Sequence, residues 1–512
     1  MSSDSPSSRL AALYDPQFVR AAGHRLADLL GEHFRSVQGR ETAVLNWRHP
    51  AENVAEAGRC LERGSTDPVR LAESVSERFA DLVRLALERG QNLHSPRYMG
   101  HQVPPPIPIA ALFDSIGAVT NQPMAIYEMG PWATAIETAL VERLGERIGY
   151  APGTFAGFAT HGGSIANLTG LLTARNVVLG DVWEAGLARS GQPPVLLAHS
   201  DAHYSVSRAA GVLGLGTRQI IKVPLDEHRR MDPAALDSRL AQLHRSGHQV
   251  IAVAAAACAT PIGAFDPLEA IADVCAGHGV WLHVDAAHGG PVIFSDRHRA
   301  RLAGLERADS VVWDAHKMMH VPALCTFVFY KDHAHRFEAF RQEAPYLFDP
   351  SDPGLAEHDS GLKTLECTKR AAAFALWGLW SMFGESIFAD LVDATFGLAR
   401  SLHEKLAAAA DFVPLHEPEA NIVAFRHVPS ELRDAPAEVV GRFQLELRKD
   451  LIRSGAFYIV PTQFDGLPAL RTTLINPLTT TGDFDDLLDE LRERGRSLLQ
   501  GGPRPTIEAP GL

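Results

Sequence analysis

Between about residues 93 and 383 the chain alternates short, almost wholly apolar runs with helical stretches, and no other feature restricts its fold so tightly. The run VIAVAAAAC at 250–258 is apolar at every position. A strand with one wet face alternates apolar and polar residues, so a run like this one must be covered on both faces, as in a parallel sheet between helices. The segments VLLAHS, VWLHVD, SVVWDA and TFVFYK read the same way. Ahead of this region, residues from about 9 to 90 carry apolar positions three and four apart, in LADLLGEHF and VSERFADLVRLALERG, which predicts helices. Beyond about Glu385, long helical patterns mix with the shorter strands ANIVAFRHV and LRTTLINP. The expected division is a helical N-terminal segment over 1–92, a large α/β domain over 93–384, a small α+β domain over 385–500 and a loose Gly/Pro-rich tail over 501–512. No internal repeat occurs. Sites in such sheets gather at the carboxyl ends of the strands.

Composition narrows the function. With 46% apolar and 21% charged residues the chain is an ordinary globular one, which excludes disorder and collagen-like repeats. Asp plus Glu (61) outnumber Lys plus Arg (48), a formal charge of -13, which argues against a partner that is nucleic acid or an anionic membrane. The longest apolar run falls far short of the roughly 20 residues that a membrane helix needs. The opening MSSDSPSS lacks the basic-then-apolar layout of a secretory signal. Cys60, Cys258, Cys275, Cys325 and Cys367 show no paired spacing, so neither a disulfide framework nor a metal site is indicated and a reducing cytoplasm is the expected compartment.

Chemistry concentrates at the strand ends. VWLHVDAAHGG ends a strand in Asp285, where a bland reading is a turn cap. The next strand, SVVWDAHKMMH, ends in His316 and Lys317, followed by apolar Met318, Met319, Val321 and Pro322. Burial among such neighbours is expected to lower the lysine pKa and free its amine to attack a carbonyl. A Schiff-base lysine and a carboxylate that keeps a pyridine nitrogen protonated are together what pyridoxal phosphate chemistry requires. FATHGGSIANLTGLLTAR offers the phosphate anchor, a strand-like piece, a glycine turn and a helix start at Gly162, Gly163 and Ser164. It lacks the G-x-G-x-x-G of a dinucleotide site. SDAHYSVSRAAGVLG supplies His203, which by itself reads as a helix-start residue and beside a pyridine ring as a stacking and proton-carrying one.

These pieces resemble the group II pyridoxal-phosphate-dependent amino-acid decarboxylases, the family of the glutamate, cysteine-sulfinate, diaminobutyrate and aromatic amino-acid decarboxylases. The likeness runs from about His94 to Pro477 through HSPRYMGHQ, YEMGP, GGSIANL, SDAHYSV, CATPIGAFDPL, HVDAAHGG, WDAHKMM, APYLF and RTTLINP in order, with Lys317 placed 32 residues after Asp285 (317 − 285). It implies the type I pyridoxal-phosphate transferase fold, aspartate aminotransferase-like, with a mostly parallel seven-stranded-type sheet. It also implies a homodimer with a shared site, onto which the helical N-terminal segment swaps. Lys317 would form the internal aldimine, Asp285 pair with the pyridine nitrogen, His203 stack on one ring face and Ala287 lie on the other. Thr260 would sit near the phenolic oxygen or the substrate carboxylate, and Gly163, Ser164 and His316 would hold the phosphate. Arg471 matches an arginine for the substrate α-carboxylate (or is a strand-edge surface residue), His101 and Gln102 would line the pocket, and Tyr346 would deliver a proton from a mobile loop or merely anchor it.

The implied reaction is α-decarboxylation of an L-amino acid, acidic or short and polar, through a quinonoid protonated by Tyr346 or His203. Alternatives are decarboxylation coupled to oxidative deamination, an aminotransferase and a catalytically dead scaffold. Retention of Lys317, Asp285, His203 and Tyr346 favours simple decarboxylation. The chain departs from the family where many members read Asn-Pro before His-Lys, because it reads Asp314-Ala315. An acid beside a phosphate is awkward, so Asp314 is expected to point elsewhere or to accept a hydrogen bond. It also reads Cys367-Thr368-Lys369 where glutamate decarboxylases read Cys-Gly-Arg, and HSPRYMGHQVPPP where they read HPRFFNQ.

Overall fold

The computed structural model describes residues 10, 11, 13–62, 68–187, 192–341 and 357–501, with backbone alone over 68–76. The apolar runs form a sheet of β1 (Ala156–Thr160), β2 (Val195–His199), β3 (Ile220–Val223), β4 (Val250–Ala256), β5 (Trp281–Asp285), β6 (Ser310–Asp314) and β7 (Thr326–Tyr330) in the order β1-β7-β6-β5-β4-β2-β3. Neighbours pair in parallel from β3 through β2, β4 and β5 to β6, and β7 runs antiparallel to both β6 and β1. Every residue of β2, β4, β6 and β7 is buried, as their unbroken apolarity requires. The edge strand β3 is only half covered, and its sequence IIKV carries no unbroken apolar signal.

The helix Gly163–Leu179 lies across one face of this sheet, against β4, β5, β6 and β7. Its closeness depends on a missing side chain, because a Cβ on Gly170 would lie 2.8 Å from His283 Cε1. Helices Pro108–Thr120, Pro131–Ile148 and Phe374–Phe383 pack together beside the opposite core. The N-terminal part folds as helices Pro16–Gln38, Pro50–Glu62 and Pro68–Arg89, the first and last packed on each other.

Past residue 385, helices Ser386–Ala408, Ala437–Ser454 and Thr481–Leu499 cover an antiparallel sheet of β8 (Phe412–Pro414), β9 (Ile422–His427), β10 (Val460–Phe464) and β11 (Leu467–Thr473) in the order β10-β11-β9-β8. β9 and β11 match the two strands read from sequence; β8 and β10 are sheet edges with exposed residues and too little apolar pattern to announce themselves. Among the described residues no helix is long and apolar enough to cross a membrane.

One ionic contact ties these layers. Lys369, 3% exposed, donates from Nζ to both carboxylate oxygens of Glu137 (2.7 and 2.9 Å) and to the Ala159 carbonyl (2.8 Å). Glu137 stands on the helix Pro131–Ile148 and Ala159 on β1, so the contact fastens the chain entering Phe374–Phe383 to both. Glu137→Met strands a buried ammonium and is expected to cost about 3–5 kcal/mol in urea unfolding. The double change with Lys369→Met should recover most of that loss. A single variant as stable as the parent would show that the pair contributes nothing.

Candidate active site

The carboxyl ends of β1, β2, β4, β5 and β6 open on one cleft of about 310 Å³. Its wall holds Gly163, Ser164, His203, Thr260, Asp285, Ala287, His316, Lys317 and Gln102, so the structure brings nine of the sequence-predicted residues together. All but Gln102, which lies on a loop, arrive by the same route, a strand that runs out into a turn. Arg471 and His101 lie just behind the wall: Arg471 Nη1 donates to the Thr260 carbonyl at 2.7 Å, and His101 Nε2 lies 3.3 Å from the Tyr458 hydroxyl. Tyr346 lies outside the described residues.

The glycine turn is built for an anion. Gly162 has φ +106°, in the region that favours glycine, and the helix Gly163–Leu179 starts immediately after it with its first N–H groups at the cleft. Asp285 is held by two donors, Asn167 Nδ2 at 2.8 Å and the Ala287 amide at 3.1 Å. His203 caps the helix Tyr204–Val212, its Nδ1 accepting from the Ser205 amide at 3.3 Å and lying 2.8 Å from the Ser205 hydroxyl. Burial lowers the His203 pKa against the opposing pull of Asp285, so its imidazole is neutral near pH 7.

One expectation needs correction, and one of two alternatives is met. Lys317 does not have a lowered pKa: burial works against its charge, but Asp314 and then Asp285 outweigh burial and hold the amine above its ordinary value. Asp314 does not point away from the cleft. It lines it, 1% exposed, with Oδ2 3.0 Å from Lys317 Nζ, and a Cβ on Gly163 would lie 3.1 Å from that same oxygen. Asp314 does accept a hydrogen bond, from Thr326 Oγ1 at 2.6 Å, its partner in the β6–β7 register. Burial disfavours its charge, but Lys317, His316 and Thr326 together keep the carboxyl below its ordinary value.

Charge and orphaned donors mark the rest of the site. Arg471 is 7% exposed, its Nε has no partner, and no carboxylate of the described residues pairs with it. Burial pushes it down to about 10. Gln102 Nε2 is buried without a partner in the cleft wall. Burial, then the charges of Arg471 and Arg448, lower His101.

Sequence reasoning missed Asn167, His161, His288 and Asp314 as wall residues. Asn167 had a signal, since it falls one helical turn after Gly163 and so on the same face. His161 had none: its Nδ1 lies 3.2 Å from Glu366 Oε1, a residue 205 positions away, and its Nε2 is unpartnered.

Pyridoxal phosphate suits this arrangement, because an anion cradle, a primary amine and a well-braced carboxylate share one cleft whose floor at Ala287 is small enough for a flat ring. Comparison with known proteins leads to the same cofactor. Residues 81–428 match the pyridoxal-dependent decarboxylase conserved domain. The acidic amino acid decarboxylase GADL1 of Mus musculus is 33% identical over 386 residues, 74% of this chain and 70% of that protein. Its Bos taurus counterpart is 29% identical over 463 residues, 89% and 87% of the two chains. The crystal structure of mouse CSAD superposes with a TM-score of 0.83 at 28% identity, covering 94% of this chain and 99% of that one. A family model that spans two thirds of the sequence, on the fold and cleft its members' chemistry needs, leaves one assignment: the chain belongs to the pyridoxal-dependent decarboxylases and is an amino-acid decarboxylase that works with pyridoxal 5'-phosphate.

Proposed function

We propose that the enzyme removes the α-carboxyl group of an acidic L-amino acid. The observation that carries this reading is the unpaired, buried Arg471 guanidinium. A charge that has left water without a counter-ion is costly, and an incoming carboxylate is the partner it lacks. His101, with the Arg471 and Arg448 charges acting on it, and the unpartnered Gln102 amide offer a second polar group for a substrate side-chain acid. The relatives named acidic amino acid decarboxylases support the same substrate class.

In this reading Lys317 would hold the cofactor through its aldehyde group, and Gly163, Ser164 and His316 would hold its phosphate. When bound, pyridoxal phosphate supplies the electron sink for the pair released as CO₂ departs. Asp285 keeps the pyridine nitrogen protonated, and its two donors hold the carboxylate in place for that task. Arg471 would fix the α-carboxylate and so orient the bond to be broken, which is orientation rather than chemistry. Thr260, whose carbonyl receives Arg471, fixes the guanidinium in turn. His203 and Ala287 would bound the place of the cofactor in the cleft, and His203 or Tyr346 would return a proton to the α-carbon.

We also propose a homodimer. Leu112, Ile116, Val119, Trp132, Met382 and Phe383 are exposed on helices that pack against one another, an apolar face that a second copy would bury. All five cysteines are free, in keeping with a reducing cytoplasm.

Purified protein screened against L-amino acids should release CO₂ from acidic ones, with none from Lys317→Ala. Preference for an aromatic amino acid or diaminobutyrate would overturn the substrate reading. Arg471→Met should lower kcat/KM for the best acidic substrate by roughly 100-fold, the scale of losing one partner of a buried charge pair. A second expectation concerns cofactor uptake. Lys317 must lose a proton before it can bond an aldehyde, and its raised pKa means the neutral amine grows more abundant as pH rises. Uptake of pyridoxal phosphate by the cofactor-free protein, followed near 420 nm, should therefore speed up with pH. With Asp314→Asn the same rise should come at lower pH. An unshifted profile would mean that Asp314 does not hold the amine.

A further inference from the structure

Beneath the cleft runs a line of buried polar groups whose direction is fixed at both ends. Trp281 Nε1 can only donate, and it does so to Ser310 Oγ at 2.9 Å. The Asp285 carboxylate can only accept, so the group of Asn167 that lies 2.8 Å away is the amide nitrogen. The Asn167 oxygen then faces His283 Nε2 at 2.9 Å, which must carry the hydrogen. Burial pushes His283 down to about 4, so its ring is neutral and Nδ1 is left with a lone pair for the Ser310 hydroxyl at 2.8 Å. The second Asn167 N–H goes to Ser205 Oγ at 2.9 Å, and the Ser205 hydroxyl hydrogen remains for His203 Nδ1 at 2.8 Å. The helix cap gives the same answer independently, since the Ser205 amide also donates to His203 Nδ1. Every bond thus points toward the cleft, and His203 carries its hydrogen on Nε2.

We infer that Asn167 is a positioning residue, splitting one directed hydrogen-bond chain between Asp285 and His203 so that the acid and the imidazole are set together. The inference rests on the proposed cofactor roles of those two residues. Asn167, 1% exposed, bonds Asp285 directly and reaches His203 through the Ser205 hydroxyl. Gly170 is what admits His283 to the chain, because a Cβ there would lie 3.0 Å from His283 Nδ1. The charged groups acting on His203 are Asp285, Lys317, Asp314 and Arg208, and Asp285 acts on His283.

The test compares three variants of the cofactor-loaded enzyme. Asn167→Leu keeps the volume and removes the bonds. Asn167→Asp keeps the shape and sets a second carboxylate against Asp285, which can donate only when protonated. Both should lose pyridoxal phosphate at least about tenfold faster than the parent at pH 8, read by loss of absorbance near 420 nm during dialysis. The Asn167→Asp deficit should shrink several-fold near pH 5.5, because paired carboxylates share a proton at raised pKa, while that of Asn167→Leu should not. Ser205→Ala cuts the His203 branch alone and should lower kcat about tenfold with KM and cofactor loss unchanged. Asn167 variants that hold cofactor like the parent, or an Asn167→Asp deficit indifferent to pH, would overturn the inference. Should neither Asn167 variant fold, an unchanged kcat in Ser205→Ala would still refute the His203 branch. Cofactor loss is read without substrate, so it tests the chain even if the acidic-substrate reading fails.

Discussion

A sheet covered on both sides, with one helix pressed against it at a glycine, is the constraint from which the site follows. Strands of unbroken apolar residues cannot end in solvent-facing side chains along their length, so polar groups are confined to the points where each strand stops. Five such points share one rim here, and they deliver the glycine turn, His203, Thr260, Asp285, and Asp314 with Lys317 to one another. The close seat of Gly163–Leu179 does the second half of the work. It brings the turn at Gly163 to the Asp314 carboxylate and Asn167 to Asp285, which a larger residue at position 170 would prevent.

Charge in the cleft is balanced by geometry rather than by number. Lys317 stands between two carboxylates, Asp314 and Asp285, yet only Asp314 lies at ion-pair distance. Asp285 instead accepts from two neutral donors, Asn167 Nδ2 and the Ala287 amide. On the far side, Arg471 donates to the Thr260 carbonyl and pairs with no carboxylate of the described residues. The amine is thus satisfied within the protein, while the guanidinium has no counter-ion among the described residues.

Much of this was legible in the sequence because strand ends are local. Unbroken apolar runs located β4, β5 and β6, and the residues just after them, Asp285 and Lys317, could be nominated from position alone. What stayed hidden depends on pairing across the chain. The Asp314 orientation follows from Thr326, its antiparallel partner on a strand whose direction the apolar pattern does not encode. The charge of Lys317 depends on that same contact, so an argument from apolar neighbours alone took the wrong sign. The His161–Glu366 pair joins residues 205 positions apart, and the want of an acid beside Arg471 is a property of the assembled interior. The short edge strands β3, β8 and β10 escaped because half-exposed strands carry little pattern.

The Lys369 contact has a consequence for which basic residue can occupy that position. An ammonium has three hydrogens, and here three oxygens receive them, two from Glu137 and one from Ala159. A guanidinium brings five hydrogens on a flat, wider frame and would leave two without oxygens in a dry interior. Where glutamate decarboxylases read arginine after Cys-Gly, this chain has shaped its socket around a point charge. The two cations are therefore not interchangeable here, and an arginine could be admitted only together with further acceptors around it.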